Sequence, residues 1–590
     1  MASDELTRLG TRIGAGSTMT PATWPAPNPT LLGTRHAVSS GHYLASAAAF
    51  AILEAGGNAV DAGCCAGMAL AVLHADEVNF AGVAPIMIRL ADGTTVSLDG
   101  LGVWPRRLPP DLFMTEYGGT IPTGILRTVV PAAPDAWITV LRDYGTMTFA
   151  QVAAAAARLA RDGFAVFPLL ADGIAKRQAG YRKWAANAAI FLPRGRPPRV
   201  GERFVQADLA RTIQTMIDAE ERAGGERVAG LEAARAAFYE GGIADSVVAY
   251  HEANNGYLRH DDLAEFRSRY EPVVETRWRD FTLLTCGAWC QGPILAEALL
   301  ILERHGLDGL DHNGPRYAHT VIEALKGVFA DREHHFGDPE FVDVPLDRLL
   351  GEKHIAARAA AIDPERAFAG LPPALFGESQ VLPDAIRSEE VRHIGEGGTS
   401  YVCVIDRWGN AFSATPSDGA STSPVIPGTG IVPSLRGLQS RPDPAHPSGV
   451  APGKRPRLTP NPAIAVRDDG SVLAFGCPGG DMQVQAMLQV FLNVFHFGMD
   501  LQEAVNAPRF STWSFPNSFA PFDYLAAHVF LEDRFDPGVH AELERRGHDV
   551  RLWPAYTRDA AAVEAIYRNA RTGFLESAAD PRQPAQAVVA

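Results

Sequence analysis

Four strand pairs joined by tight turns limit what this 590-residue chain can fold into. They are "PIMIRLADGTTVSLDG", "YVCVIDRWGNAFSA", "AIAVRDDGSVLAFG" and "AVEAIYRNARTGFLES". Each places Gly or Asn between β-branched and aromatic runs, the signature of a hairpin. Hairpins build antiparallel sheets, and such sheets need a cover on any apolar face. The cover is also legible. "HYLASAAAFAILEAGGNAVDAGCCAGMALAVL" reads as two helices apolar nearly all round, broken at Gly56-Gly57 and restarted at the N-cap Asn58, with Asp61 in the first turn. Val205, Leu209, Ile213, Met216 and Ile217 form one helical stripe in a segment from Thr148 to about Gly370 where helices dominate. Helices over hairpin sheets predict an α/β sandwich with antiparallel sheets between helix layers.

The remaining composition narrows the partners. Hydrophobic residues at 46% and charged residues at 21% describe a globular chain, and the net charge of -15 is spread without a basic block, so nucleic acid is not expected as a partner. Polar residues interrupt every apolar run before a membrane could be crossed, and "MASDELTRLG" has no signal-peptide core. Six cysteines make no disulfide framework, which points to a cytoplasmic location. Cys64 and Cys65 read as buried thiols. Cys286 and Cys290 lack a second ligand pair, and the scattered histidines, His334-His335 included, suggest a solvated surface, so neither metal nor cofactor is expected. Residues 1–35 read as an extended arm and about 372–398 as a linker.

One joint stands out chemically. In "GEGGTSYVCVIDRWGN", Gly397-Gly398 leads directly into Thr399 and a strand. A Thr freed at a chain start combines nucleophile and base: its hydroxyl attacks an amide while its own α-amine, of ordinary pKa near 8, takes the proton. The same hydroxyl can sever the Gly398–Thr399 bond through an ester, and two glycines tolerate the backbone strain of that attack. Read alone, such a stretch is more often a plain strand entry. "GCPGGDM" sets Gly479 and Gly480 between a strand and a helix, where their N–H groups suit an oxyanion hole; the plainer alternative is a turn with Asp481 as N-cap.

With these residues in view, the chain resembles the γ-glutamyltranspeptidase family of N-terminal-nucleophile hydrolases. "ASAAAFAILEAGGNAVDA", "YGTM…LARDGF", "GDPEF", "GTSYVCVIDRWGN", "PGTGI", "APGKRP", "GCPGGD" and "NAPRF" occur in that family's order, between about His36 and Arg582. The resemblance implies a four-layer αββα fold, cleaved into a large subunit, 36–398, and a small one, 399–590, intertwined in one domain. It implies Thr399 as nucleophile, Ser417 as the supporting hydroxyl, and Gly479 and Gly480 as the oxyanion hole.

The departures concern specificity. The family's carboxylate-binding Arg is replaced by Leu101 in "LDGLGVWP", and its Gly-rich run by "FAGVAPI". The ammonium-binding Asp corresponds to Gln439 and the Ser-Ser pair to Leu458-Thr459. Without the Arg a γ-glutamyl group loses a charge-assisted contact. The expectation is an amidohydrolase for a small amide other than a γ-glutamyl compound, with Leu101, Leu458 and Trp104 suggesting an apolar acyl group. Arg436 is a remaining carboxylate ligand or an exposed loop residue, Trp289 a site wall or buried packing, and Asp481 is expected to turn outward. Relatives of this type act on oxamate, cephalosporin side chains or polyglutamate. The rival readings are a true γ-glutamyltransferase or glutathione hydrolase, and a catalytically silent binding protein. The expected partners are a small amide and the chain's own two subunits, with no membrane; assembly of several copies is left open.

Overall fold

The computed structural model describes residues 29–377, 380, 382–383 and 398–590. Most of the arm and linker segments, Gly397 included, lie outside them.

Two seven-stranded sheets, each antiparallel throughout, form the centre. The first runs in the order Leu31–Gly33, Leu575–Ala578, Glu564–Arg568, Val472–Gly476, Ala463–Arg467, Phe281–Thr285, Val274–Trp278. The second runs Gln586–Val589, Ala37–Ser40, Val402–Ile405, Ala411–Ala414, Ile86–Arg89, Thr95–Leu98, Tyr270–Glu271. Each sheet therefore takes strands from both sides of residue 398. All four expected hairpins form.

Three apolar cores separate four layers. Met87, Tyr401, Cys403, Ile464, Ala474 and Ile566 fill the space between the sheets. Helices Tyr43–Glu54, Ala59–Leu73 and Phe149–Asp162 pack outside the second sheet, and Gly292–His305, Pro315–His335 and Met482–Phe495 outside the first. Ala59–Leu73 is buried at every residue. Asn58 caps it in a reciprocal box with Asp61, whose carboxylate also accepts from the Thr146 hydroxyl at 2.7 Å. Tyr43–Glu54 instead buries Ala45, Ser46, Ala49 and Leu53 on one face. Much of its apolar character is alanine, which tolerates an outer face. Likewise Val205 lies before helix Ala207–Ala223 and is exposed, while the rest of its stripe is buried.

His334 and His335 correct the expectation of a solvated pair. His334 is buried and accepts from the Gln380 N–H at 2.8 Å, and His335 stacks on Phe376. The "PGKRPR" loop is ordered by carboxylates: Arg455 meets Asp99, Glu271 and Asp338. No helix among the described residues is long and apolar enough to cross a membrane.

Candidate active site

The hairpin register assembles the site. Val402 pairs with Ala414 in the second sheet, and counting back three residues sets Thr399 opposite Ser417, where a bridge forms. The turn at the far end is fixed by Asp406, which accepts from the N–H groups of Trp408 and Asn410 and from that of Ala59 at the helix start. Ser417 also bridges Val83 in the neighbouring segment. Thr399, Ser417 and Val83 are buried, so the geometry is held by the sheet rather than by a loop.

Thr399 Oγ1 lies 2.6 Å from Ser417 Oγ, and Ser417 Oγ donates to the Gly398 carbonyl at 2.8 Å. A serine has one hydroxyl proton. Because Ser417 gives it to Gly398 and also receives a hydrogen bond from Arg436, Thr399 must be the donor to Ser417. The Gly398 carbonyl oxygen is held by three donors: Ser417 Oγ, Arg436 Nη2 at 2.9 Å and the Asp418 N–H at 3.1 Å. No side chain fits at position 398, since a Cβ there would lie 2.1 Å from Glu77 Cα. The glycine before Thr399 is thus required by close approach.

Arg436, on the short turn Arg436–Gln439, is fully buried. Its Nε pairs with Asp418 Oδ1 at 2.7 Å, its Nη1 donates to Gln439 Oε1 at 3.1 Å, and Gln439 Nε2 donates to Thr459 Oγ1 at 3.2 Å. The exposed-loop alternative for Arg436 is therefore corrected: Thr399, Ser417, Arg436, Gln439 and Thr459 form one chain of contacts. Asp418, which sequence reading passed over, anchors that chain. Its only sequence signal is its place beside Ser417.

Burial raises the Asp418 carboxyl to about 6, against the pull of Arg436 and of the Ser434 hydroxyl. The folded chain thus holds an extra proton between the ordinary 3.8 and about 6, so this group's contribution to stability falls as pH rises through that window. Ionised Asp418 best fixes Arg436 on the Gly398 carbonyl. Self-cleavage of fresh precursor is expected to quicken with pH around a midpoint near 6, and Asp418→Asn to flatten that rise. A pH series followed on denaturing gels measures it.

Gly479 and Gly480 follow strand Val472–Gly476 and precede helix Met482–Phe495. Both have positive φ, 122° and 58°, and among the described residues neither N–H has a hydrogen-bond partner. They line a cavity of about 100 Å³ with Thr399, Gly398, Glu77, Arg177 and Arg558, walled by Trp513 and Trp553. Arg558 pairs with Glu77, and Arg177 with Asp76 at 2.9 Å. These charged residues, from separate segments, also escaped sequence reading.

Leu101 and Leu458 sit in the core between the sheets, and Trp104 is packed with Phe113 and Val129. None of the three lines the cavity, so the basis for an apolar acyl group is removed. Trp289 is buried in the inter-sheet core. Asp481 makes no side-chain cap and does not turn outward. It is buried against Arg332, Gln291 and Ser518, because a buried guanidinium there requires a carboxylate.

Two facing antiparallel sheets between helix layers, with a buried threonine hydroxyl at a strand entry, are the arrangement of an N-terminal-nucleophile hydrolase. The family model described as gamma-glutamyltranspeptidase matches residues 45–590. The glutathione hydrolase proenzyme of Pseudomonas sp. (strain A14) is 31% identical over 82% of each chain. The acylase ACY 1 proenzyme of Pseudomonas sp. (strain V22) is 31% identical over 91% of this chain and 90% of its own. A solved structure described as LmbA2991HD superposes with a TM-score of 0.88 at 35% identity, covering 95% of this chain and 99% of that one. The chain belongs to the γ-glutamyltranspeptidase family and is an amide hydrolase of that family, which sets aside the reading as a silent binding protein.

Proposed function

We propose that the chain cuts itself between Gly398 and Thr399 and then hydrolyses small amides, not γ-glutamyl compounds, through an ester on Thr399. The carrying observation is the Thr399–Ser417–Gly398 hydrogen-bond relay. As Thr399 Oγ1 adds to the Gly398 carbon, its proton passes to Ser417 and Ser417's proton to the Gly398 oxygen. Arg436 and the Asp418 N–H stabilise the charge developing there. The C–N bond then breaks as the Gly398 oxygen gives up that proton, through Ser417, to the departing Thr399 nitrogen, and water splits the ester to leave a Gly398 carboxylate and a free α-amine.

That amine becomes the base for the second reaction. It takes the Oγ1 proton as Oγ1 adds to an amide carbon whose oxygen turns into the Gly479–Gly480 amides. The leaving amine departs with the proton, and water releases the acyl group. Against a γ-glutamyl substrate stand Leu101 in the core and the uncharged Gln439. The glutathione hydrolase relative favours the rival reading.

Intact-mass analysis of purified protein is the test, followed by assays with γ-glutamyl anilide and simple amides. Two fragments, the smaller beginning Thr399-Ser400-Tyr401, and faster turnover of simple amides are expected. A single chain of 63.2 kDa that is nevertheless active would refute the cleavage, and turnover confined to the anilide would refute the specificity.

A further inference from the structure

Three helices packed in the core outside the first sheet bring together a second buried cluster. Glu297 lies on Gly292–His305, Asp331 on Pro315–His335 and His354 on Glu352–Ala360. All three residues are buried, and none lines the Thr399 cavity. His354 Nε2 is 3.0 Å from Asp331 Oδ2 and 3.3 Å from Glu297 Oε1, so one ring nitrogen faces two carboxylate oxygens. Around a divalent ion with bonds of about 2.0–2.2 Å, neighbouring ligand atoms stand roughly 3.0–3.5 Å apart. Both separations fall in that range.

The polar groups of the cluster give a second, independent sign. Glu297 Oε2 is buried and has no hydrogen-bond partner among the described residues, a costly state for a carboxylate oxygen. Arg358 serves Asp331 alone: its Nε and Nη2 donate to that carboxylate at 2.8 and 2.6 Å, and its Nη1 donates to the Pro373 carbonyl. A cation held by both Glu297 oxygens, Asp331 Oδ2 and His354 Nε2 satisfies the orphan oxygen. It takes the place of the hydrogen between the ring and the two acids, and the ring keeps one proton on Nδ1. The other cluster of this kind, His319, Glu323 and His548, is poorer. There Lys326 Nζ lies 2.8 Å from Glu323 Oε1, and its ammonium repels a second cation.

We propose that Glu297, Asp331 and His354 bind one divalent first-row metal ion, zinc in preference to manganese or magnesium, as a structural tie between the three helices. The imidazole selects against the hard ions, and four protein donor atoms close the coordination sphere. The tie bears on the active site at one remove. Arg332, the residue after Asp331, holds Asp481, which directly follows Gly479 and Gly480.

Protein stripped with a chelator is titrated with Zn²⁺, Mn²⁺ or Mg²⁺ by calorimetry, and bound metal is counted by mass spectrometry after gel filtration. One zinc per chain is expected, bound at least about tenfold more tightly than manganese, with a rise in Tm at saturating zinc. Glu297→Gln and His354→Ala should each weaken zinc binding about tenfold or more, and His319→Ala should leave it unchanged. Circular dichroism reports whether the variants fold. Should both site variants fail to fold, X-ray absorption of zinc-loaded wild-type protein decides, with one imidazole and otherwise oxygen ligands expected. Two imidazoles in that spectrum, zinc held equally well by folded Glu297→Gln and His354→Ala proteins, or no zinc bound by wild type would each overturn the proposal.

Discussion

Thr399→Ala protein is expected to run as one uncut chain of 63.2 kDa and to have no measurable amidase activity. One substitution removes the attacking oxygen of both reactions, and without cleavage no free α-amine forms. Nucleophile deletion in a comparable hydrolase costs on the order of 10⁶-fold in kcat. The variant should still fold, because Ser417, Arg436 and the Asp418 N–H keep their acceptor on Gly398. Thr399→Ser retains the hydroxyl and should still cut. Denaturing gels with N-terminal sequencing read both outcomes, and a cut Thr399→Ala chain would show that another group severs the bond.

Gly479→Ala is expected to separate the two reactions. At φ 122° an alanine is strained, and its Cβ would lie 2.9 Å from that of Ala561, so the loop must shift and its N–H groups with it. Losing an oxyanion donor costs about 10²–10³-fold in kcat. Self-cleavage relies on different donors, those around the Gly398 oxygen, and should proceed. The expected result is a normally cut protein with amidase activity reduced by that factor. If cutting fails equally, both steps depend on the glycine loop.

These two variants probe parts of the site that were unequally legible in the sequence. The hairpin "YVCVIDRWGNAFSA" fixes its own register, and extending that register gives the Thr399–Ser417 pair, so the proposed nucleophile and its neighbour are placed by local rules. The four hairpins and the capped helix Ala59–Leu73 follow in the same way. The cavity walls do not. Glu77, Arg177 and Arg558 are far apart in sequence and meet through tertiary packing, which leaves no periodicity to read. Arg436 shows the same limit: its residue type suggested a carboxylate partner, but its burial depends on Asp418 in a neighbouring segment. Leu101 misled for a related reason, since a position aligned with a binding residue had become part of the core between the sheets.

Each sheet draws strands from before and after the proposed scission point, with Val402–Ile405 lying between Ala37–Ser40 and Ala411–Ala414. The fragments of a cut enzyme are therefore threaded through each other and should not part on dilution. Once denatured, they face a bimolecular search in place of an intramolecular one, and recovery should depend on protein concentration. A precursor refolds as a single molecule, whereas the working enzyme has traded that reversibility for a new chain end.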